Sequence, residues 1–459
     1  MLKELFDPET IAVIGASEKE GKVGNLVFRY LTESKAEVFP VNPGYGTIHG
    51  KKCYKRVNEI EKGIDLAVVC TPASISVETV KGCVENKVKF VIPLAGGFGE
   101  TGARGKEMEK EMKESIREKK TRILGPNTLG IFVPGSVDTM FLERKRSPRP
   151  RAGSIALVSQ SGATAATIMN AANLYSIGFS AFVGLGNRID LNENDFIEHF
   201  SRDEKTDVIA LYLESFADGH EFREVVEKSE KPIVMLKAGR SDSGRKAAAS
   251  HTGSLSGSDR IINGLCEQYG ITRAYDEEEL IDYSRALAYC KPFSGDRIAV
   301  ISTAGGHGVI ATDCITSKEH GIGLKMAKFG ESTVEKMKKV ALGFASLSNP
   351  VDLTASATDE MYKQVIEVVM EDDNIDAILV SVLFDPPGIT EKLVDVVVGV
   401  EKKKPLVVYS VGSEMTLKAI RRFEEAKIPA YPSIWRGIRA LGVLHKRGKF
   451  LEVKNESLQ

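Results

Sequence analysis

His251 is flanked by small side chains, with Ala247, Ala248, Ala249 and Ser250 before it and Thr252, Gly253 and Ser254 after it. Such neighbours predict an exposed loop able to move. An imidazole with an ordinary pKa near ~6.5 is largely neutral at physiological pH. It can attack through one ring nitrogen if the other N–H is oriented by a carboxylate or carbonyl. Ser159, Ser161, Gly162 and Ala163 open the helical stretch SQSGATAATIMNAA. Free N–H groups at a helix start, with the helix dipole, can hold a tetrahedral phosphate and stabilise the charge of phosphoryl transfer. Glu214 ends the apolar run DVIALYL, and Lys237 and Arg240 follow the run KPIVML. Blander readings stand beside these. A histidine taken alone is more often structural, a strand-end glutamate is commonplace, and both cations fit a solvated face.

A second set of small residues lies nearer the N-terminus. Thr10–Leu31 (TIAVIGASEKEGKVGNLVFRYL) reads as a strand, a glycine-bearing loop and a helix. Gly15, Gly21 and Gly24 remove side chains where a backbone must approach a ligand, and the helix start offers N–H groups. The turn departs from GxGxxG because Ser17 stands where a second glycine would be, so a plain strand-to-helix turn is the competing reading. Later apolar runs also end in small or turn-forming residues: Phe39–Gly44 (FPVNPG), Val69–Ala73 (VCTPA), Leu94–Gly102 (LAGGFGETG) and Gly125–Ile131 (GPNTLGI). In open α/β sheets that edge is where ligands lie. A dinucleotide site usually has an acidic residue after its second strand to hold a ribose. Here the position reads Val41, Asn42, Pro43, which disfavours NAD.

The elements that must position these residues alternate between short apolar runs and amphipathic stretches, the pattern of parallel α/β sheets. The basic, proline-bearing segment Glu143–Arg151 (ERKRSPRPR) reads as a solvated linker, and Lys291–Arg297 (KPFSGDR) as a second boundary. Three domains are expected, at residues 1–145, 150–291 and 296–459. The second and third are repeats. SIALVSQSGATAATIMNAANLYSIG from Ser154 aligns with RIAVISTAGGHGVIATDCITSKEHG from Arg297, DVIALYLES with DAILVSVLF, and KPIVMLKAG with KPLVVYSVG. The fold class is therefore α/β, a Rossmann-like domain followed by two flavodoxin-like parallel-sheet domains. The copies differ where chemistry would sit. Glu214 faces Leu383, Ser161 faces Ala304, Lys237 faces Ser410, and only the second domain has the longer stretch carrying His251.

The series IGAS, VNP, TPA, GGFGETG and GPNTLGI resembles the CoA-binding domain of the succinyl-CoA synthetase superfamily, in particular the α subunits of ADP-forming acetyl-CoA synthetases. The likeness extends over essentially the whole chain. It implies that Gly15, Ala16, Ser17, Val41, Asn42, Pro43, Thr71, Pro72 and Ala73 line the CoA nucleotide site. Gly96, Gly97 and Phe98 would lie along the pantetheine, with Asn127 near the thioester end. Relatives acting on succinate often carry cysteine where this sequence has Thr128, so the acid substrate is expected to differ. SHTGSLSG is similar to the family's phosphohistidine loop, which makes His251 the phosphoryl carrier, and Glu214 matches the carboxylate that orients it.

The reaction implied is acetyl-CoA + ADP + phosphate ⇌ acetate + ATP + CoA, through an acyl phosphate and then phosphohistidine. No Walker A sequence GxxxxGK[ST] appears. A separate ATP-grasp β subunit is therefore expected to supply ADP/ATP and Mg²⁺, in an α2β2 assembly, with no metal site in this chain. The competing reading is a non-catalytic CoA-binding regulatory protein, which would leave His251 and Glu214 incidental. A net charge of −1 gives no general attraction to nucleic acid or an anionic membrane. No apolar run approaches the ~20 residues of a membrane span. Six scattered cysteines without CxxC spacing read as reduced thiols of a cytoplasmic protein.

Overall fold

The computed structural model describes residues 2–246, 258–317 and 322–456. His251 lies outside the described residues. In the first domain β1 (Thr10–Ile14), β2 (Glu37–Val41), a small hairpin of β3 (Thr47–Ile48) and β4 (Lys51–Lys52), β5 (Leu66–Val69), β6 (Phe90–Pro93) and β7 (Arg122–Ile123) follow in order. Five of them form a parallel sheet in the order β2-β1-β5-β6-β7. Ile11 and Val13 pack on one face of β1 while Ala12 and Ile14 pack on the other, so both faces are buried. Continuous apolar runs are what such a strand requires.

The chain then enters the second sheet earlier than its hydrophobic pattern suggests. The short strands β8 (Ile131–Val133) and β9 (Val137–Asp138) precede residue 145, yet β8 pairs antiparallel with a strand of the second domain. That sheet also contains β10 (Ala152–Ser159), β11 (Phe179–Gly184), β12 (Val208–Leu213), β13 (Ile233–Lys237) and β14 (Thr272–Ala274). Its order is β14-β13-β12-β10-β11-β8-β9. One apolar core runs from Phe28 and Ile92 of the first domain to Val158 and Leu211 of the second. Residues 1–173 and 178–280 accordingly form one compact unit.

The segment read as a solvated linker is tied down. The Arg149 side chain is largely covered, pairs with Asp138 at 3.0 Å, and donates to the carbonyls of Ser147, Met140 and Leu142. Arg144 also reaches Asp138 and lies 4.2 Å over the Tyr30 ring. A buried carboxylate at Asp138 draws both guanidinium groups in, and charge counting along the segment could not reveal it.

The other unit, residues 174–177 and 281–459, holds β15 (Arg297–Ser302), β16 (Lys325–Met326), β17 (Val351–Asp352), β18 (Ala377–Ser381), β19 (Leu406–Tyr409) and β20 (Ala430–Tyr431). Their order is β16-β15-β18-β19-β20, with β17 on β15. Counting parallel strands from β10 and from β15, and setting aside the short β17, the second and third sheets both read 2-1-3-4-5, the flavodoxin-like order. The repeat seen in the sequence is thus a repeat of topology. Each order reverses direction between its first and third strands: β1/β5, β10/β12 and β15/β18. Ligands of open α/β sheets bind at such switch points. Among the described residues no helix is long and apolar enough to cross a membrane.

Candidate active site

The switch point of the first sheet is built by close packing of loops. Gly15, at φ +87°, receives a contact from the Cys70 backbone that would leave a Cβ only 3.1 Å away. A Cβ on Gly24 would meet the Gly15 carbonyl oxygen, so the helix Val23–Thr32 starts directly against the turn. Asn42 ties β2 to the same turn. Its Nδ2 donates to Ala16 O at 2.8 Å and its Oδ1 accepts from Gly44 N at 2.9 Å. Ser17 Oγ accepts from Lys19 N at 3.1 Å, the local bond for which this turn needs serine rather than glycine.

A cavity of about 720 Å³ opens from this edge toward the second sheet. Thr71, Pro72, Gly96 and Asn127 line it from the first domain, and Ser161, Gly162 and Ala163 from the second. Thr128 staples the two sides: its Oγ1 donates to Gly184 O at 2.6 Å and accepts from Gly130 N at 2.9 Å. Cys70 also lines the cavity, but burial pushes its thiol up to about 12, so it is wall rather than nucleophile.

Gly15, Ala16, Ser17, Val41, Asn42, Pro43, Ala73 and Gly97 stand along the same sheet edge without lining this cavity. Phe98 is wholly buried in the first domain's core, so only its backbone is available to a ligand. Ser159 is likewise buried, its Oγ donating to Ser161 O at 2.8 Å. Ser161 Oγ accepts from Thr164 N at 3.3 Å at the start of the helix Gly162–Leu174.

A smaller cavity of about 110 Å³ adjoins, lined by Asn127 and Gln160, which both cavities share, and by Glu100, Glu109, Asn187, Arg188 and Glu214. Asn187 Nδ2 donates to Glu100 Oε2 and Glu109 Oε1, both at 2.6 Å, and its Oδ1 accepts from Asn127 Nδ2 at 3.2 Å. Two carboxylates fix which end of the Asn187 amide donates, and this in turn sets the Asn127 amide. Burial works against ionised Glu100, but hydrogen bonds from Asn187 and the Gly97 N–H outweigh it and lower its pKa.

Glu214 sits just past β12, only 6% exposed. Tyr212 OH donates to its Oε1 at 3.5 Å, and its Oε2 is buried without a partner among the described residues. An ionised carboxylate with an open acceptor site is what an imidazole N–H requires. Burial, then the Glu214 charge, raises the Tyr212 pKa, which keeps that hydroxyl a donor.

Lys237 is buried at the end of β13, donating to Glu214 O at 2.6 Å and Ala238 O at 2.7 Å. Burial, then the nearby Arg273, pushes its pKa down to about 8. An unfolded lysine titrates near ~10.4, so between these values the unfolded chain binds more protons and stability rises with pH. Relative to Lys237→Met, the wild-type chain should gain about 1–2 kcal/mol between pH 7.5 and pH 10, after allowing for screening through the adjoining cavity. Paired urea titrations at the two pH values measure this.

His307 opens the corresponding helix of the third domain, Gly305–Thr316. Its Nδ1 is 3.4 Å from Ser381 Oγ and its ring packs edge-on to Tyr409 at 5.1 Å. In the repeat it occupies the position of Thr164. Gln160, Asn187 and Arg188 were not singled out by sequence; Gln160 lies between two serines that were, which was its one available signal.

Three family models match in the order of the sheets: a CoA binding domain over residues 9–134, a succinyl-CoA ligase like flavodoxin domain over 152–287, and a ligase-CoA domain over 298–449. The chain is 38% identical to the α subunit of an ADP-forming acetate–CoA ligase I of Pyrococcus furiosus, over 98% of each. It is 37% identical to an ADP-forming acetate–CoA ligase of Methanocaldococcus jannaschii, covering 97% of this chain and 63% of that protein. Among solved structures, an acetyl-coenzyme A synthetase of Ca. Korarchaeum cryptofilum in complex with phosphate and ADP superposes with a TM-score of 0.91 at 32% identity, over 100% of this chain and 99% of that one.

Proposed function

We infer, because this chain belongs to the family of ADP-forming acetyl-CoA synthetase α subunits, that it is the CoA-binding, phosphohistidine-carrying half of an acid–thiol ligase. The observation that carries this reading is the cavity shared by Asn127 of the CoA-binding domain and Ser161–Ala163 of the next. It joins the place of a thioester to a place for phosphate. The predominance of apolar side chains among its walls, including Leu94, Leu129, Phe141 and Leu142, suits a pantetheine arm.

Phosphate, held at the N–H groups of Ser161, Gly162 and Ala163, attacks the thioester carbonyl. The C–S bond breaks, the thiolate takes a proton, and CoA leaves an acyl phosphate behind. A ring nitrogen of His251 then attacks phosphorus. The bond from phosphorus to the acyl oxygen breaks, the carboxylate departs, and Glu214 accepts the hydrogen bond of the other ring N–H. Transfer from phosphohistidine to ADP restores the imidazole and yields ATP. We assign that last step to an ATP-grasp β subunit supplying nucleotide and Mg²⁺, in an α2β2 assembly. Support comes from relatives called α subunits that match over nearly their whole length.

The isolated chain should bind CoA in the micromolar range and NADH not at all, by calorimetry. Mixed with acetyl-CoA, phosphate, ADP and Mg²⁺, it should form ATP only when the β subunit is added. Preferential binding of NADH would remove the CoA assignment, and ATP formed by this chain alone would remove the partner.

A further inference from the structure

The turn carrying Glu214 is held at each of its backbone polar atoms by a side chain from elsewhere in the domain. Gln160 Oε1 accepts from Glu214 N at 2.9 Å and from Ser215 N at 3.3 Å. Lys237 Nζ donates to Glu214 O at 2.6 Å. Arg188 Nη1 donates to Ser215 O at 2.9 Å, and its Nη2 to Ser215 Oγ at 2.6 Å. Arg188 is itself fixed by Glu193, whose Oε2 lies 2.8 Å away and whose Oε1 accepts from Ala217 N at 2.6 Å. Two residues are thus clamped at N–H and C=O alike, while the carboxylate they carry keeps one buried oxygen open among the described residues.

The third domain provides the comparison. Where the second has Gln160, Lys237 and Glu214, it has Thr303, Ser410 and Leu383. Ser410 Oγ donates to Val382 O at 2.8 Å, so a neutral hydroxyl suffices to bridge the two strand ends when no carboxylate follows. Burying an ammonium is unfavourable unless its charge is matched. That unfavourable choice is made only in the copy with Glu214. A second oddity points the same way: Arg188 has φ +57°, a left-handed backbone that a non-glycine side chain resists, and its guanidinium closes the clamp.

We propose that Lys237, together with Gln160 and Arg188, is a positioning residue: the three hold the Glu214 carboxylate where an imidazole N–H must meet it. The proposal rests on the role given to Glu214 above. Its test is a double-mutant cycle on the single-turnover rate of phosphohistidine formation from acetyl phosphate, with the full chain and its β subunit.

Glu214→Gln alone should slow this step by about 30- to 1000-fold. Lys237→Met alone should slow it by about 10-fold or more, with CoA affinity unchanged within about twofold. The double variant should be within about threefold of Glu214→Gln, because the clamp then has no charge to position. A purely structural lysine would slow both backgrounds alike, so additive slowing, or no slowing by Lys237→Met, overturns the proposal and leaves the Glu214 reading standing. A near-normal Glu214→Gln would remove that reading and the proposal with it. Gln160 is only half-buried, and Gln160→Met carries the same cycle with the same outcomes if Lys237→Met does not fold.

Discussion

Glu214→Gln is expected to keep the fold and lose most of the phosphoryl-transfer rate. The two side chains are nearly equal in volume, so the packing around residue 214 survives, and thermal unfolding should shift by no more than a few degrees. What changes is charge. A glutamine oxygen still accepts a hydrogen bond, but it does not stabilise the positive character that an imidazole acquires as its far nitrogen attacks phosphorus. Losing one such preorganised interaction in a transition state costs about 2–4 kcal/mol, or roughly 30- to 1000-fold in rate. The environment favours the upper part of that range. Glu214 is buried, so solvent screens it little, and its open oxygen has no competing donor among the described residues. Rapid-quench measurement of label transferred from acetyl phosphate gives the rate. A variant with near-normal transfer would make Glu214 a structural strand-end carboxylate.

The distinction between what the sequence disclosed and what it hid follows the range of the interactions. Apolar runs such as IAVI, LAVV and DVIALYL report strands directly, because parallel strands are buried on both faces. Three aligned runs in one order were enough to reveal the repeat, and the structure gives both copies the same strand order. Small residues after those runs marked the switch-point edges. The hidden parts depend on partners far along the chain. β8 and β9 are too short to show a period, and β8 becomes a strand because β11 and β9 are there to pair with it. The arginines at 144 and 149 read as solvated until Asp138 and Tyr30 are brought beside them. Phe98 sits among glycines, a context that suggests exposure, yet it is buried. The clamp on Glu214 spans 54 residues to Gln160 and 23 to Lys237, with no local spacing to announce it.

Incubation with acetyl phosphate should introduce one acid-labile, base-stable phosphoryl group, and it should map to His251, although His307 occupies a helix start that is chemically suited to anions. The structure gives three reasons to expect His307 to stay unmodified. Its ring is engaged, with Nδ1 3.4 Å from Ser381 Oγ and the ring edge against Tyr409. The position equivalent to Glu214 in its domain is Leu383, so that position offers no charge to a developing imidazolium. The residue before its helix is Ala304, which makes no side-chain bond to the helix N-terminus, whereas Ser161 caps the counterpart through Thr164 N at 3.3 Å. His251→Ala should therefore abolish both the label and overall acetyl-CoA-dependent ATP formation, a loss of several orders of magnitude because the covalent carrier itself is gone. His307→Ala should retain both within about threefold, the ordinary range for a partly exposed side chain outside the reacting centre. Peptide mapping under mildly basic conditions distinguishes the two positions, and CoA affinity of each variant controls for folding of the first domain. A label that persists in His251→Ala, or that maps to His307, would transfer the chemistry to the third domain and overturn the mechanism.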